Sequence, residues 1–193
     1  QIMPYGFFTV DTPFNEVTHD YKPGSPERKK VEEAYKNMFQ SKITIPLYLG
    51  DEEVFTKETR PIRPPHDHQH IVGSYSVAQP IHVKRAIDNS LKSKKKWAAM
   101  SWEHRVSIFI KAADLIAGPY RAIINAGTMI GQSKNIFQAE IDATCESVDF
   151  LKFNAAFASQ IYQQQPAPGN GVFNRIEHRP LEGLSLIHIS EPT

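Results

Sequence analysis

The chain has 193 residues, which is enough for one ordinary domain, or for a domain with an extension, around a real hydrophobic core. Its 22 Lys and Arg residues nearly balance its 21 Asp and Glu residues, so bulk charge predicts neither a nucleic-acid partner nor a membrane-surface partner. A single cysteine excludes an internal disulfide, and no apolar run approaches the roughly 20 residues that span a bilayer.

The first predicted elements are an extended arm and a helix. Residues 1–24 are rich in Pro, Thr and aromatic side chains and show no sustained period, which is typical of a segment that lies along the rest of a protein. A helix is predicted over residues 25–39. Ser25 can cap its first turn, Pro26 suits the first helical position, and Glu27 lies where the helix dipole favours negative charge.

Short β-branched and aromatic runs follow the first helix and predict three strands. They cover residues 43–49, 53–56 and 71–78, with Gly, Asp and Pro residues between them. Pro46 has no backbone N–H to donate, so the first of these strands is predicted to lie at a sheet edge.

Four helices are predicted from residue 80 onward. The first ends near Trp97 and the second at the Gly118-Pro119 pair. The third covers residues 123–130 and the fourth residues 134–163. The fourth helix has a clear apolar stripe, because apolar side chains recur every three or four residues. The stripe consists of Ile141, Cys145, Val148, Leu151, Ala155, Ala158 and Tyr162.

Cys145 is the one candidate for a thiol nucleophile. Such a nucleophile acts as a thiolate, which needs a nearby cation, a helix N-terminus or a metal ion to lower its pKa. The acidic neighbours Glu140, Asp142, Glu146 and Asp149 and the mid-helix position have the opposite effect. We therefore expect Cys145 to be a buried packing residue of the apolar stripe.

The acidic side chains themselves allow two interpretations. Asp142, Glu146 and Asp149 share one helical face at spacings of four and three, where like charges destabilise an isolated helix. They form either a solvated acidic face with Lys or Arg partners from elsewhere, or a site in which a carboxylate faces a cavity and holds a cationic group of a ligand.

Two further clusters favour structural interpretations. His66, His68 and His70 alternate and would share one face of a strand, as a metal site could use, but the two preceding prolines favour a solvated turn. The lysine run at residues 92–96 is a phosphate-binding candidate only if other basic elements join it, and its place at the end of a helix favours a solvated helix terminus. No metal site and no nucleic-acid site is predicted.

Five stretches together resemble the L-glutamate γ-semialdehyde dehydrogenase branch of the aldehyde dehydrogenase superfamily. The resemblance covers nearly everything from about Phe7 to Gly183 and is most specific over residues 128–154. The stretches are NEVTHDYKPGSPER, IPLYLGDEEV, RVSIFIKAADLIAGPYR, TMIGQSKNIFQAEIDATCESVDFLKFN and RPLEG.

The resemblance implies an α/β fold that is aldehyde dehydrogenase-like and limited to the amino-terminal part. The expected parts are an extended arm over residues 1–24 and, over residues 25–183, the first part of the NAD-binding domain, with small strands and a four-helix region. A strand at residues 172–179, whose two faces differ, would begin the family's oligomerisation arm. After RPLEG the chain lacks the family's Pro-Phe-Asn turn, so residues 184–193 are expected to be a non-native tail.

The resemblance also implies a function for the parent enzyme, which is the NAD-dependent oxidation of L-glutamate γ-semialdehyde to L-glutamate in proline catabolism. The family's catalytic Cys, Glu and Asn and its NAD-binding units lie beyond Gly183, so this chain is expected to contain no catalytic and no cofactor-binding residue and to be inactive alone. Glu146 occupies the place of a family glutamate that lines the substrate pocket, where it would suit an α-ammonium group. The alternative is a non-catalytic helical interaction module with the same fold.

The resemblance further implies a small-molecule substrate and a homo-oligomer. No targeting segment is visible at the start of the sequence, which favours the cytoplasm, with the mitochondrial matrix as the alternative.

Overall fold

The computed structural model describes residues 8–179, in which an arm, two small sheets and a group of helices follow one another. Residues 8–22 have no helix or strand, and the first seven residues of the predicted arm lie outside the described part. Helix α1 runs over Pro26–Gln40 and confirms the predicted helix. The hydroxyl of Ser25 accepts a hydrogen bond from the backbone N–H of Arg28 at 3.3 Å.

The prediction of one strand over residues 43–49 is wrong. Pro46 lies between β1 (Ile43–Ile45) and β2 (Leu47–Leu49), which belong to different sheets. Because proline cannot donate to a ladder, the pairing changes partner at this point. β2 pairs antiparallel with β3 (Glu52–Val54) as a hairpin that turns at Gly50, whose φ is +69°.

The second sheet has three strands in the order β1-β5-β4. β5 (Gly73–Ser76) pairs parallel to β1 and antiparallel to β4 (Thr59–Ile62). A Cβ atom at Gly73 would lie 2.3 Å from the carbonyl oxygen of Ile43, so the close approach of the two strands requires glycine. β4 was not predicted, because its sequence TRPI contains a proline and does not alternate.

Helices make up the rest of the fold, and their boundaries agree with the predicted helices to within a few residues. α2 covers Pro80–Ala99, α3 covers Trp102–Ala117 and α4 covers Arg121–Gln132. The hydroxyl of Ser101 caps α3, and Ser133 ends α4 in the left-handed conformation, with a φ of +57°. α3 packs against the last helix and α4 against α1, with a buried cluster of Tyr21, Val31 and Ala126 beside α1.

The predicted fourth helix is interrupted. It consists of α5 (Ile136–Ala139), a π-helical turn (Glu140–Cys145) and α6 (Glu146–Gln163). A π turn closes i→i+5 hydrogen bonds and so rotates the side chains before it relative to those after it. Ile141 is therefore 46% exposed instead of buried in the stripe, while Glu140 and Thr144 are fully buried.

The predicted strand at residues 172–179 does not form in the single chain. Only an isolated bridge between Gly169 and Val172 is present, and residues 173–179 have no regular structure. The backbone N–H of Ile176 donates to the side chain of Gln165 at 2.8 Å rather than to a neighbouring strand. A strand needs a partner ladder, and no strand of the described residues offers one here. The predicted tail at residues 184–193 lies outside the described part.

Candidate functional site

The arm lies along one face of the π turn and α6. Asp149 accepts hydrogen bonds from the side-chain amide of Asn15 at 2.7 Å and from the backbone N–H of Glu16 at 2.6 Å. Further along the arm, the backbone N–H of His19 reaches Glu140 at 2.8 Å. These contacts join segments that are more than 100 residues apart in sequence, and they place the arm beside the acidic helix face.

Glu140 is fully buried, and four residues donate hydrogen bonds to its carboxylate. Oε1 accepts from the backbone N–H of His19, and Oε2 accepts from the hydroxyl of Tyr21 and the amide of Asn125, both at 2.7 Å. Arg121 donates through Nε at 3.2 and 3.3 Å and through a closer bond from Nη2. Every lone pair that a buried carboxylate must have satisfied therefore has a donor nearby.

Arg121 is the second member of this buried pair and is 6% exposed. Its Nη1 donates to Glu16 Oε1 at 2.8 Å, and its Nη2 donates to the backbone carbonyl of Val17 at 2.6 Å. Lys152 donates to the other oxygen of Glu16 at 3.2 Å. Two cations and two carboxylates thus alternate, which balances the charge that is removed from water. We call Glu16, Tyr21, Arg121, Asn125 and Glu140 the arm clamp.

The arm clamp fixes the protonation states of its members. Burial alone would raise the pKa of Glu140, but hydrogen bonds, led by those from Arg121, outweigh it and lower that pKa from 4.5 to about 2. Burial also opposes the charge of Arg121, yet its bonds to Glu140 and Glu16 raise its pKa above the ordinary value. Burial and the neighbouring Glu140 raise the pKa of Tyr21. At neutral pH the pair is ionised and Tyr21 is a hydrogen-bond donor.

Cys145 is buried, as predicted for a packing residue. Burial, the largest influence, raises the pKa of its thiol. The thiol lies 3.6 Å from Arg121 Nη2 and 3.9 Å from the hydroxyl of Thr18, inside the contact between arm and helix. The geometry therefore favours packing over nucleophilic chemistry.

The three acidic side chains of the helix face have three different environments. Asp142 forms an ion pair with Lys134 at 2.6 Å, as expected for a solvated acidic face. Asp149 is occupied by the arm. The side chain of Glu146 is exposed and makes no hydrogen bond or ion pair with any residue that the structure describes. Of the three, Glu146 is thus the one whose carboxylate is not engaged within residues 8–179.

Glu146 lines a concavity of about 450 Å³ on the outer face of α6. Its floor combines aromatic rings with a few polar groups, which is the usual composition of a small-molecule site. The lining residues are Asn15, Glu146, Asp149, Phe150, Phe153, Asn154 and Phe157. A larger cavity of about 730 Å³ lies between α1 and the start of α4 and contains none of the predicted site residues.

The histidine motif lies in turns between β4 and β5 and has a structural part. His66 lies between the hydroxyl of Tyr35, at 3.2 Å, and that of Ser133, at 2.7 Å. His70 stacks on Phe39 with ring centroids 4.1 Å apart and contacts its backbone carbonyl at 2.6 Å. The three imidazoles do not share a strand face, and residues 8–179 contain no group of three side chains able to hold a metal ion.

The lysine run at residues 92–96 lies in the last part of α2, with Lys96 in its final turn, which confirms the predicted helix end. No helix in the described part of the chain is long and apolar enough to cross a membrane.

Sequence reasoning did not find the arm clamp. Arg121 and Asn125 occupy one face of the otherwise apolar α4 at a spacing of four, and this was the available signal of a buried polar pair. Their partners Tyr21 and Glu140 lie 119 residues apart, and no local pattern brings them together.

Comparison with known proteins assigns the class. Residues 54–188 match the aldehyde dehydrogenase family, so the chain belongs to that family. The predicted aldehyde dehydrogenase-like fold is confirmed, since the chain superposes on a Mycobacterium tuberculosis structure with a TM-score of 0.91.

The similar proteins carry a more particular name. That structure is a Delta-pyrroline-5-carboxylate dehydrogenase bound with NAD and cobalamin, with 40% identity over 94% of this chain and 34% of its own. A probable delta-1-pyrroline-5-carboxylate dehydrogenase of Schizosaccharomyces pombe is 44% identical over 88% of this chain and 31% of its own length. A mitochondrial delta-1-pyrroline-5-carboxylate dehydrogenase of Danio rerio is 41% identical over the same shares. The chain spans about a third of the length of these relatives.

Proposed function

We propose that this chain is the first part of an NAD-dependent L-glutamate γ-semialdehyde dehydrogenase, the enzyme that the similar proteins call delta-1-pyrroline-5-carboxylate dehydrogenase. The substrate is the open-chain aldehyde, and the product is L-glutamate, formed in proline catabolism. Identities of 40 to 44% to proteins with this name support the proposal. The chain supplies the arm, the small strands and the helices, and the catalytic residues belong to the rest of the longer protein.

The observation that carries the proposal is the carboxylate of Glu146, which lines a concavity and has no side-chain partner in the part of the chain that the structure describes. A ligand group that suits this site is a cation, and the semialdehyde carries an α-ammonium group with three donors. Asp142 is paired with Lys134 and Asp149 is held by two neutral donors of the arm, so Glu146 is the carboxylate of this face whose side chain has no partner among the described residues. The aromatic rings beside it offer apolar surface to the carbon chain of the substrate. We assign Glu146 to substrate binding rather than to catalysis.

NAD does not fit the described residues. In residues 8–179 the only parallel pairing is that of β1 with β5, and the connection between them contains strands rather than the helix of a βαβ unit. We assign NAD binding to the remaining part of the longer protein.

The exposed face of α2 supports the view that more protein covers this chain. None of the 20 residues of α2 is buried, although the helix carries several large apolar side chains. Ile81, Val83, Ile87 and Leu91 are each 46 to 58% exposed. Apolar surface of this extent is typical of an interface. The isolated chain is therefore expected to aggregate or to unfold in part. A monomeric, cooperative thermal transition would contradict this expectation.

The proposed domain division keeps residues 1–24 as the arm and residues 25–183 as part of the NAD-binding domain. Residues 172–179 are proposed to pair with a neighbouring subunit, because they have no strand partner among residues 8–179. The full-length protein would then be a homo-oligomer. Sedimentation of the full-length protein tests this, and a monomer would contradict it.

Residues 184–193 are proposed to be a non-native tail. Resequencing the genomic locus tests this proposal. We expect the genomic reading frame to differ from residues 184–193 and to encode a Pro-Phe-Asn turn. Genomic DNA that encodes the same ten residues followed by a stop codon would contradict the proposal.

The compartment of the full-length protein is proposed to be the cytoplasm, with the mitochondrial matrix as the alternative. The Danio rerio and Dictyostelium discoideum relatives are named mitochondrial, which supports the alternative. A fluorescent fusion of the full-length protein distinguishes the two.

The central experiment compares two aldehydes in the full-length protein. Glu146→Gln removes the charge but keeps the size of the side chain. The KM for L-glutamate γ-semialdehyde should rise about 10- to 100-fold, since a hydrogen bond to a charged group contributes about 1.5–3 kcal/mol. The kinetics with propanal, which has no ammonium group, should not change. The reduction of NAD, followed by its change in absorbance, provides the rate.

Asp142→Asn is the matched control, because Asp142 lies one turn away on the same helix face but is paired with Lys134. Asp142→Asn should leave the KM and the turnover number unchanged for both aldehydes. Equal losses on both aldehydes with Glu146→Gln would show that Glu146 is structural. A full-length protein that oxidises neither aldehyde but folds cooperatively would favour the non-catalytic interaction module.

A further inference from the structure

The arm forms one side of the Glu146 concavity. Asn15 lines it together with Asp149 and the aromatic rings of α6. The amide nitrogen of Asn15 donates to Asp149 Oδ2 at 2.7 Å, while the backbone N–H of Glu16 donates to Asp149 Oδ1 at 2.6 Å. Both oxygens of Asp149 thus hold the arm, and its negative charge, which two neutral donors do not cancel, adds to that of Glu146 beside the concavity.

The orientation of Asn15 follows from these bonds. Its nitrogen is turned to Asp149, so its carbonyl oxygen is the group left to accept a hydrogen bond. The neighbouring residue Glu16 is fixed by Arg121 at 2.8 Å and by Lys152 at 3.2 Å. The arm therefore presents Asn15 from a backbone that is anchored by charged groups on the helices.

We propose that Asn15 is a specificity-determining residue of this site, where its side-chain oxygen accepts a hydrogen bond from the same cationic group that Glu146 binds. The inference rests on the proposed function and adds a residue from the arm to it. An ammonium group has three donors, so a carboxylate on one side and an amide oxygen on the other can both be satisfied. An aldehyde without an ammonium group gains nothing from Asn15.

The test uses the full-length protein and the same pair of aldehydes. Asn15→Ala should raise the KM for L-glutamate γ-semialdehyde about 5-fold, because one neutral acceptor is lost, and should leave the kinetics with propanal unchanged. Thr12→Ala is the control, because Thr12 is an exposed arm residue three positions earlier. It should change the kinetics with neither aldehyde. In the double variant with Glu146→Gln the two effects on KM should be non-additive, because both residues hold one group.

The outcomes separate this inference from the proposed function. A full-length protein that does not oxidise the semialdehyde overturns the proposed function, and with it the inference, before any variant is made. If Glu146→Gln raises the KM for the semialdehyde but Asn15→Ala does not, the inference alone is overturned. The same holds if Asn15→Ala impairs both aldehydes equally, since the arm would then act only as structure.

Discussion

Glu140 and Glu146 lie six residues apart in one helical segment, yet their environments are opposite. Glu140 is fully buried and receives hydrogen bonds from four residues, whereas Glu146 is exposed and has no partner among the described residues. Residues six apart in a helical segment point in directions roughly 120° apart, so Glu140 faces the interior while Glu146 faces outward. Of two identical side chains, one is committed to the fold and the other is left available for a ligand.

The largest effect on stability should come from removing the charged partner of the buried Glu140 carboxylate. Arg121→Met should lower the free energy of unfolding by about 3–5 kcal/mol, because it leaves Glu140 charged and buried without its cation. Chemical denaturation of the full-length protein, followed by circular dichroism, measures the change. Arg28→Met is the control, since Arg28 pairs with Glu32 on the exposed surface of α1. Equal effects of the two substitutions would contradict the assignment.

The pH dependence of stability should also identify the buried carboxylate. The pKa of Glu140 is about 2 in the folded protein against 4.5 for the free group. As the pH falls from 4.5 to 2 the unfolded chain therefore gains a proton that the folded chain does not, and stability is lost. This group contributes on the order of 3 kcal/mol above pH 5.

The difference between the wild-type protein and Glu140→Gln isolates that contribution. The unfolding free energies of the two proteins should converge as the pH falls through this range, measured by denaturant titration at several pH values. Parallel curves would show that Glu140 does not titrate with a lowered pKa.

A smaller effect is expected at the cysteine between the two glutamates. Cys145→Ala should cost about 1 kcal/mol of stability, since a buried sulfur is removed. In the full-length protein the turnover number should stay unchanged, because burial raises the pKa of this thiol and the nucleophile is proposed to lie elsewhere. Loss of turnover in a stably folded Cys145→Ala protein would overturn this assignment.

The smallest effect on stability should come from Glu146 itself. Glu146→Gln is expected to change the free energy of unfolding by less than about 0.5 kcal/mol, as is usual for an exposed side chain without partners. Thermal denaturation of the same preparations used for kinetics tests this. A loss of unfolding free energy comparable with that of Arg121→Met would show that Glu146, like Glu140, stabilises the fold.

The sequence predicted the helices well because caps and apolar periods are local signals. Ser25 caps α1 as expected from the sequence, and Cys145 was correctly placed in the interior. The π turn was missed, because spacings of three and four fit an uninterrupted α-helix equally well. As a result Ile141 was wrongly placed in the stripe.

The candidate site was predictable only in part. The spacing of acidic residues indicated a shared face, and the resemblance singled out Glu146. The separate environments of Asp142 and Asp149 depend on Lys134 and on the arm, and the arm contacts span 133 and 134 residues. No local pattern encodes such contacts, so neither Asn15 nor the clamp could be found from periodicity.

The arm clamp has a consequence for the order in which the chain folds. The arm precedes the helices in sequence and so leaves the ribosome before them, but its hydrogen bonds with Glu140, Asp149 and Lys152 span 119 to 136 residues. Closing so long a loop is slow relative to forming the local helices, so the arm must wait for the π turn to be synthesised and is then ordered late. A nascent chain that stalls before Glu140 would hold Arg121 in a half-built interior without its counter-charge, which makes that stage of synthesis the most vulnerable to misfolding.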